Sequence, residues 1–304
     1  MDKAMQSVMS KTSGHSISPL TKGYMTMIMV LFIWSGFALT TRAIGRSPLT
    51  IADVALIRFF VPLLLLIPLI PHHFNEIKKV KTSEVLFIVL GGVPFLFLAA
   101  IGAKTAPTVY VGTILAGTSP LFVAALSYVV YRQKISLKRA LTLSLILVGV
   151  VVMIEGRTGR ISDDMLTGIL YLFCAAVVWA GYTIGLKRVA LSTLSIAIIL
   201  SYASFFITLG LVLSGVVPSN FGSFSIDEAL PFILIQGVGV GVLATIGFSY
   251  AVSQLGSARS SIIGSISPGL TALLAVPIFN EPLSIAIVSG LALTIVGVLL
   301  SNRT

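Results

Sequence analysis

Acidic and basic side chains are scarce in this chain of 304 residues, and their positions bound the chemistry it can do. Its ten carboxylates are Asp2, Asp53, Glu76, Glu84, Glu155, Asp163, Asp164, Asp227, Glu228 and Glu281. Each falls beside a polar break, and none sits in the middle of an apolar run. An acid buried in mid-membrane usually marks a proton relay. Lacking one, the sequence points to a facilitator, or to coupling routed through the substrate, and argues against a polyvalent cation as cargo. His15, His72 and His73 lie in polar stretches without metal-ligand spacing. Neither a phosphate-cradling G-x-x-x-x-G-K-[S/T] loop nor a G-x-S-x-G nucleophile turn occurs. The expectation is therefore no catalytic residue, no cofactor and no metal site.

One cation breaks the pattern. Arg58 lies seven residues inside an apolar run that opens at Ile51, about 10 Å along a helix. Three placements are open to it: snorkelling to an interface, pairing with Asp53, or facing a path where it would bind a carboxylate or phosphate. Trp34 and Trp179 also sit well inside apolar runs, and an indole N–H in hydrocarbon needs a partner that a cavity can supply. With them we place Tyr110, Tyr182 and Tyr250 as candidate cavity aromatics, and Gln236 as an amide that contacts substrate or joins helices. Ser119-Pro120 and Ser267-Pro268 fall in mid-run, where proline frees a carbonyl and kinks its helix. They are expected to shape the cavity or to act as hinges. Lys104 reads as an interface anchor, and Cys174, the single cysteine, as a small buried filler.

The elements that must position these residues are apolar throughout. The chain is 56% hydrophobic and 10% charged, against about 25% charged in soluble domains, and its mean hydropathy is +1.05. Runs near the ~20 residues needed to cross a bilayer fall at 23–43, 51–70, 83–103, 107–131, 137–155, 165–186, 193–215, 229–252, 257–279 and 283–301. The fold class expected is an all-α membrane protein of ten transmembrane helices, with residues 1–22 as a polar cytoplasmic tail. With the N-terminus inside, Lys3, Lys11, Lys22, Lys78, Lys79, Lys81, Arg132, Lys134, Lys138, Arg139, Lys187, Arg188, Arg259 and Arg303 face the cytoplasm. Only Arg42, Arg46, Lys104, Arg157 and Arg160 face out. That bias satisfies the positive-inside rule and puts both termini in the cytoplasm. It also accounts for the net charge of +10 without nucleic acid as a partner.

The chain repeats itself. "GTSPLFVAALSYVVYRQKIS" from Gly117 returns 148 residues later as "SISPGLTALLAVPIFNEPLS", and Val148-Gly149-Val150 returns as Val296-Gly297-Val298. At an offset of 145, Trp34-Ser35-Gly36-Phe37 meets Trp179-Ala180-Gly181-Tyr182. Residues 23–155 and 165–301 thus form two copies of a five-helix unit. Because five is odd, the second copy enters the membrane inverted, a recurrent plan of secondary transporters in which two gates alternate. The glycine patterns Gly181–Gly185 and Gly237–Gly241 fit close helix approach, mainly within the bundle, with a homodimer as the lesser use.

On these stretches the chain resembles EamA-domain members of the drug/metabolite transporter superfamily over nearly its whole length. Asn280-Glu281 stands where that family often has Gly-Glu, while the first copy carries Arg132-Gln133. The resemblance implies ten helices in an inner (plasma) membrane and a cavity lined by helices 1, 3, 4, 6, 8 and 9. It also implies export of amino acids or other small metabolites. Other metabolites and xenobiotics (nucleobases, sugars, drugs) are the alternative cargo, and a lipid-handling protein or a channel the rival classes.

Overall fold

The computed structural model describes residues 18–155, 162–186 and 188–301. Residues 1–17 of the expected tail, and Arg157, Arg160, Lys187 and Arg303, lie outside them. Ten helices follow in order: α1 (Pro19–Arg46), α2 (Ile51–Ile77), α3 (Thr82–Thr105), α4 (Thr108–Tyr131), α5 (Leu137–Glu155), α6 (Asp163–Leu186), α7 (Thr193–Leu213), α8 (Ile226–Leu255), α9 (Ile262–Phe279) and α10 (Ile285–Ser301). The first nine are each long and apolar enough to span a bilayer, and α10 is shorter but equally apolar. No strand occurs among the described residues.

The acids mark where helices begin. The side chain of Asp53 accepts from the Thr50 backbone N–H at 2.8 Å while the Thr50 hydroxyl accepts from the Asp53 N–H at 3.1 Å. Ser225 and Glu228 form the same reciprocal pair, and Glu84 accepts from the Lys81 N–H at 2.8 Å. Each carboxylate satisfies orphan backbone donors at the positive end of the helix dipole. Asp53, Glu84 and Glu228 are thus occupied in starting spans, whereas Glu76, near the end of α2, accepts from the hydroxyls of Ser192 and Ser195.

The helices pack as two related five-helix units. The α1–α8 contact of one corresponds to α6–α3 of the other, α1–α9 to α6–α4, and α2–α8 to α7–α3. The α2–α7 and α5–α10 pairs map onto themselves, as a two-fold in the membrane plane requires. The Val-Gly-Val repeats meet in the α5–α10 pair. A Cβ on Gly149 would lie 2.5 Å from the Gly290 carbonyl oxygen, and one on Gly297 would lie 3.0 Å from the Thr142 oxygen. Glycine here lets two backbones touch where lipid supplies no hydrophobic drive. The other glycine pairs also serve internal packing: Gly185 faces the Phe87 ring, Gly237 faces Val61 and Gly241 faces Pro62.

Helix α1 ends in a 3-10 turn at Ile44–Arg46 and α2 passes through one at Ile67–Leu69, and four further helices are broken or widened nearer mid-span at matching depths. Helix α3 breaks at Gly91-Gly92, and α8 is wound as a wider i→i+5 helix over Ile233–Ala244, which contains the equivalent Gly239. Helix α4 is similarly widened over Thr113–Gly117, and α9 turns after Gly264. The Ser-Pro pairs therefore differ from the expected kink. Ser119-Pro120 and Ser267-Pro268 open fresh helical segments, with proline at the second position, where its missing N–H is not needed. Cys174 also departs from expectation: it is exposed on the bundle surface rather than buried.

The segments opened by the two prolines end alike. Arg132 (φ 53°) and Asn280 (φ 55°) are the only non-glycine residues with positive φ among those described, and they stand 148 apart. Asparagine tolerates this left-handed cap, whereas arginine carries about 1–2 kcal/mol of strain there. Part of the relief from glycine is lost to the greater entropy of its unfolded chain, about 0.5–1 kcal/mol. Arg132→Gly should therefore raise stability by about 0.5–1 kcal/mol, read as a higher unfolding midpoint in detergent; a lower one would refute the strained cap.

Candidate functional site

Arg58 reaches neither an interface nor Asp53. It is 8% exposed, inside the bundle, and bounds two adjoining chambers. Asp53 is occupied elsewhere, accepting from the Ser219 hydroxyl at 2.5 Å and the Asn220 N–H at 3.0 Å. Arg58 Nη1 instead donates to Gln236 Oε1 at 2.5 Å, and its guanidinium carbon stands 4.9 Å from the Phe37 ring centre and 5.9 Å from that of Phe59. No described carboxylate lies within ion-pair distance.

The amide of Gln236 is held in turn. The Thr40 hydroxyl donates to the Gly36 carbonyl at 2.7 Å and that of Thr41 to the Phe37 carbonyl at 2.6 Å. Both hydroxyl oxygens are thereby left to accept from Gln236 Nε2, at 3.0 and 3.2 Å. This fixes the amide with its oxygen toward Arg58. Gln236 is wholly buried and stands behind the cavity wall as the support of its cation. The arrangement offsets only part of the ion's burial. Desolvation costs several kcal/mol, against about 1.5–3 kcal/mol for a hydrogen bond to charge and about 2 kcal/mol for a desolvated cation–π contact. An anion entering the chamber would supply the rest.

The central chamber has a volume of about 230 Å³ and is walled by both repeats. Trp34, Phe37 and Ala38 come from α1, Arg58 from α2, Phe95 from α3, Ser119 from α4, Trp179 from α6, Val240 from α8, and Ser267 and Thr271 from α9. Trp179 packs 4.8 Å from Phe95 and 5.0 Å from Tyr182, while Trp34 packs 5.2 Å from Phe248. A second chamber of about 460 Å³ shares Trp34, Arg58, Trp179 and Val240, adds Tyr182, and runs to Leu186 and Thr193. Those two residues lie at the end of the bundle where α1 starts. A third, of about 210 Å³, adjoins at Trp34 and Ser119 and holds Pro120, Ser260, Ser265, Pro268 and Thr294. Helices α2, α7 and α10 thus join the lining expected from α1, α3, α4, α6, α8 and α9.

Two of the sequence candidates lie elsewhere. Tyr110 is fully buried with its hydroxyl donating to the Met153 carbonyl at 2.7 Å, and it borders a separate pocket beside Arg42 and Glu281. Tyr250 is 37% exposed and lines none of the three chambers. Conversely, Phe95, Phe248, Thr271 and Val240 carry no mark in the sequence that separates them from ordinary core. Phe37 carries one: it closes the Trp-Ser-Gly-Phe match to the second repeat.

The far end of the bundle is laced shut. Glu281 accepts from the Thr108 N–H at 2.7 Å and from its hydroxyl at 3.0 Å, and lies 3.6 Å from Arg42 Nε. Arg42 Nη1 also donates to the carbonyls of Ala103 and Lys104. One acid thereby ties together the starts and ends of α1, α3, α4 and α9.

Comparison with known proteins fits this architecture. A family model described as the EamA-like transporter family matches residues 21–155 and again 166–303. An uncharacterized transporter of Clostridium kluyveri is 23% identical over 293 residues, covering 91% of this chain and 92% of its own. A crystal structure 18% identical to this chain superposes with a TM-score of 0.63, covering 91% of this chain and 95% of the other, and shares its fold.

If Gln236 is the support of Arg58, the two are thermodynamically coupled. Gln236→Leu should destabilise by about 2–3 kcal/mol by leaving a buried charge without its acceptor. Arg58→Met in the same chain should recover at least about 1 kcal/mol of that loss. Additive losses in denaturant or thermal unfolding would show the two side chains to be independent.

Proposed function

The chain belongs to the EamA-like transporter family, and we propose that it is a secondary transporter carrying amphipathic carboxylates by alternating access. The observation that carries this reading is a buried arginine facing a central chamber without a carboxylate of its own, between aromatic walls drawn from both repeats. Arg58 would take the anionic end of the cargo, and Trp34, Phe37 and Trp179 its apolar body.

The two inverted units supply two interchangeable gates. In this conformation the end holding Arg42, Thr108 and Glu281 is closed, and the larger chamber extends toward the opposite end. The bias of Lys and Arg supports placing that opposite end, with both termini, in the cytoplasm of an inner (plasma) membrane. The protein would then work as an exporter or facilitator that loads from within. Asp53, Glu76, Glu84, Glu228 and Glu281 are engaged in starting or joining helices, and no described acid lines the three chambers, which favours a carrier without a proton-binding carboxylate over a proton-coupled pump. The same engagement supports a carrier rather than an enzyme.

Counterflow tests the proposal, because only a carrier accelerates labelled uptake when substrate waits on the other side. In liposomes preloaded with unlabelled carboxylates, the wild type should show counterflow and Arg58→Ala should lose it. Arg58→Lys, which keeps the charge but not the guanidinium that donates to Gln236, should retain a fraction. Flux that does not respond to trans substrate would replace the carrier with a channel, and counterflow unchanged in Arg58→Ala would remove the arginine from recognition.

A further inference from the structure

Beyond a bare carboxylate, the charge inventory of the three chambers constrains the whole cargo. Among the described residues lining them there is one guanidinium, Arg58, and no Asp, Glu, Lys or His. The remaining polar groups are mostly hydroxyls, Ser119, Ser267 and Thr271 in the central chamber and Ser260, Ser265 and Thr294 beside it. Thr271 adds a second sign of a ligand: its hydroxyl is buried, lines the chamber that holds Arg58, and has no hydrogen-bond partner. A buried hydroxyl of this kind is normally satisfied.

We infer that the cargo is a net organic anion, an acid with an aromatic or branched apolar body and no ammonium group, and that Arg58 sets this preference with Thr271 as an auxiliary donor. A zwitterion would place its ammonium in the same closed space as a guanidinium that already lacks a counter-ion. No carboxylate is there to receive the second cation, and a buried charge left unpaired is strongly disfavoured. The aromatic faces would favour a cation taken alone, but Arg58 already lies against the ring of Phe37. A neutral molecule of the same shape would keep the apolar contacts and lose only the charge-assisted bond. The ranking that follows is anion above neutral, and neutral above zwitterion and cation.

This inference rests on the transporter reading, yet it is tested by binding alone, so the two can fail separately. The chain has two tryptophans, and both bound the chamber. Intrinsic fluorescence of the full-length purified protein is therefore a direct gauge of occupancy. Four ligands share one phenyl body: 3-phenylpropionate, 3-phenylpropan-1-ol, phenylalanine and 2-phenylethylamine. We expect a saturable change with the acid at a Kd at least tenfold lower than with the alcohol, and weaker responses still from phenylalanine and the amine. Arg58→Gln should bring the acid down to the level of the alcohol while leaving the alcohol's own affinity within about threefold, which also certifies the fold. Thr271→Val should weaken the acid several-fold.

Phenylalanine or the amine binding as tightly as the acid would overturn the inference. So would an acid affinity untouched by Arg58→Gln in protein that still binds the alcohol. A folded wild type that answers to none of the four ligands would overturn it as well, while counterflow would still decide whether the protein is a carrier.

Discussion

In hydrocarbon every backbone N–H and C=O must find a partner inside the protein, and that constraint decides where this bundle can be irregular. Lipid-facing helix in mid-membrane must stay regular, so breaks and widenings there collect where backbone is covered by neighbours or lines a space water can enter. The breaks and widenings of α3, α4, α8 and α9 obey this. They occur at symmetry-matched depths around one central space, and they set back enough backbone to leave chambers among helices that would otherwise close-pack. The Ser-Pro pairs belong to the same device. Proline at the start of a new segment gives up no hydrogen bond, so two breaks are written into the sequence at small energetic cost.

Within that space one cation organises its surroundings. Arg58 can be held so deep because Gln236 is locked by Thr40 and Thr41, whose hydroxyls have already spent their protons on carbonyls of their own helix. The network reaches from α1 to α8 to α2 and leaves the guanidinium with donors to spare. A cation in this state is stable enough to fold around and is still short of its best partner, which is the condition for binding an anion without trapping it.

The two repeats are alike in plan and unlike in charge. At the left-handed caps, Asn280 is followed by Glu281, which ties four helices at one end of the bundle. Arg132 is followed by Gln133, which carries no charge. The position related to Glu281 by the repeat therefore carries no acid, although Glu76 near the other end accepts from the hydroxyls of Ser192 at 2.9 Å and Ser195 at 2.6 Å and so joins α2 to α7. The difference at the caps agrees with a conformation closed at the Glu281 end and with a larger chamber reaching toward the other.

The helical class, the ten spans and the internal repeat were legible in the sequence, because each follows from local composition or periodic identity. Apolar length fixes a span, and a repeated Val-Gly-Val or Ser-Pro fixes a correspondence whatever surrounds it. Trp34 and Trp179 were legible for a related reason, since matched positions imply matched depths. The partner of Arg58 was not legible: Gln236 lies 178 residues away, and whether the arginine snorkels, pairs with Asp53 or turns inward depends on which helix packs beside α2. For the same reason Tyr110 and Tyr250 looked equivalent to Tyr182, while Phe95 and Thr271 looked like ordinary core. Sequence determined which stretches must leave water, and tertiary structure alone decided which of their faces meet across an empty space. Burial is dictated by the composition of one helix, but a cavity is made by the mismatch of several.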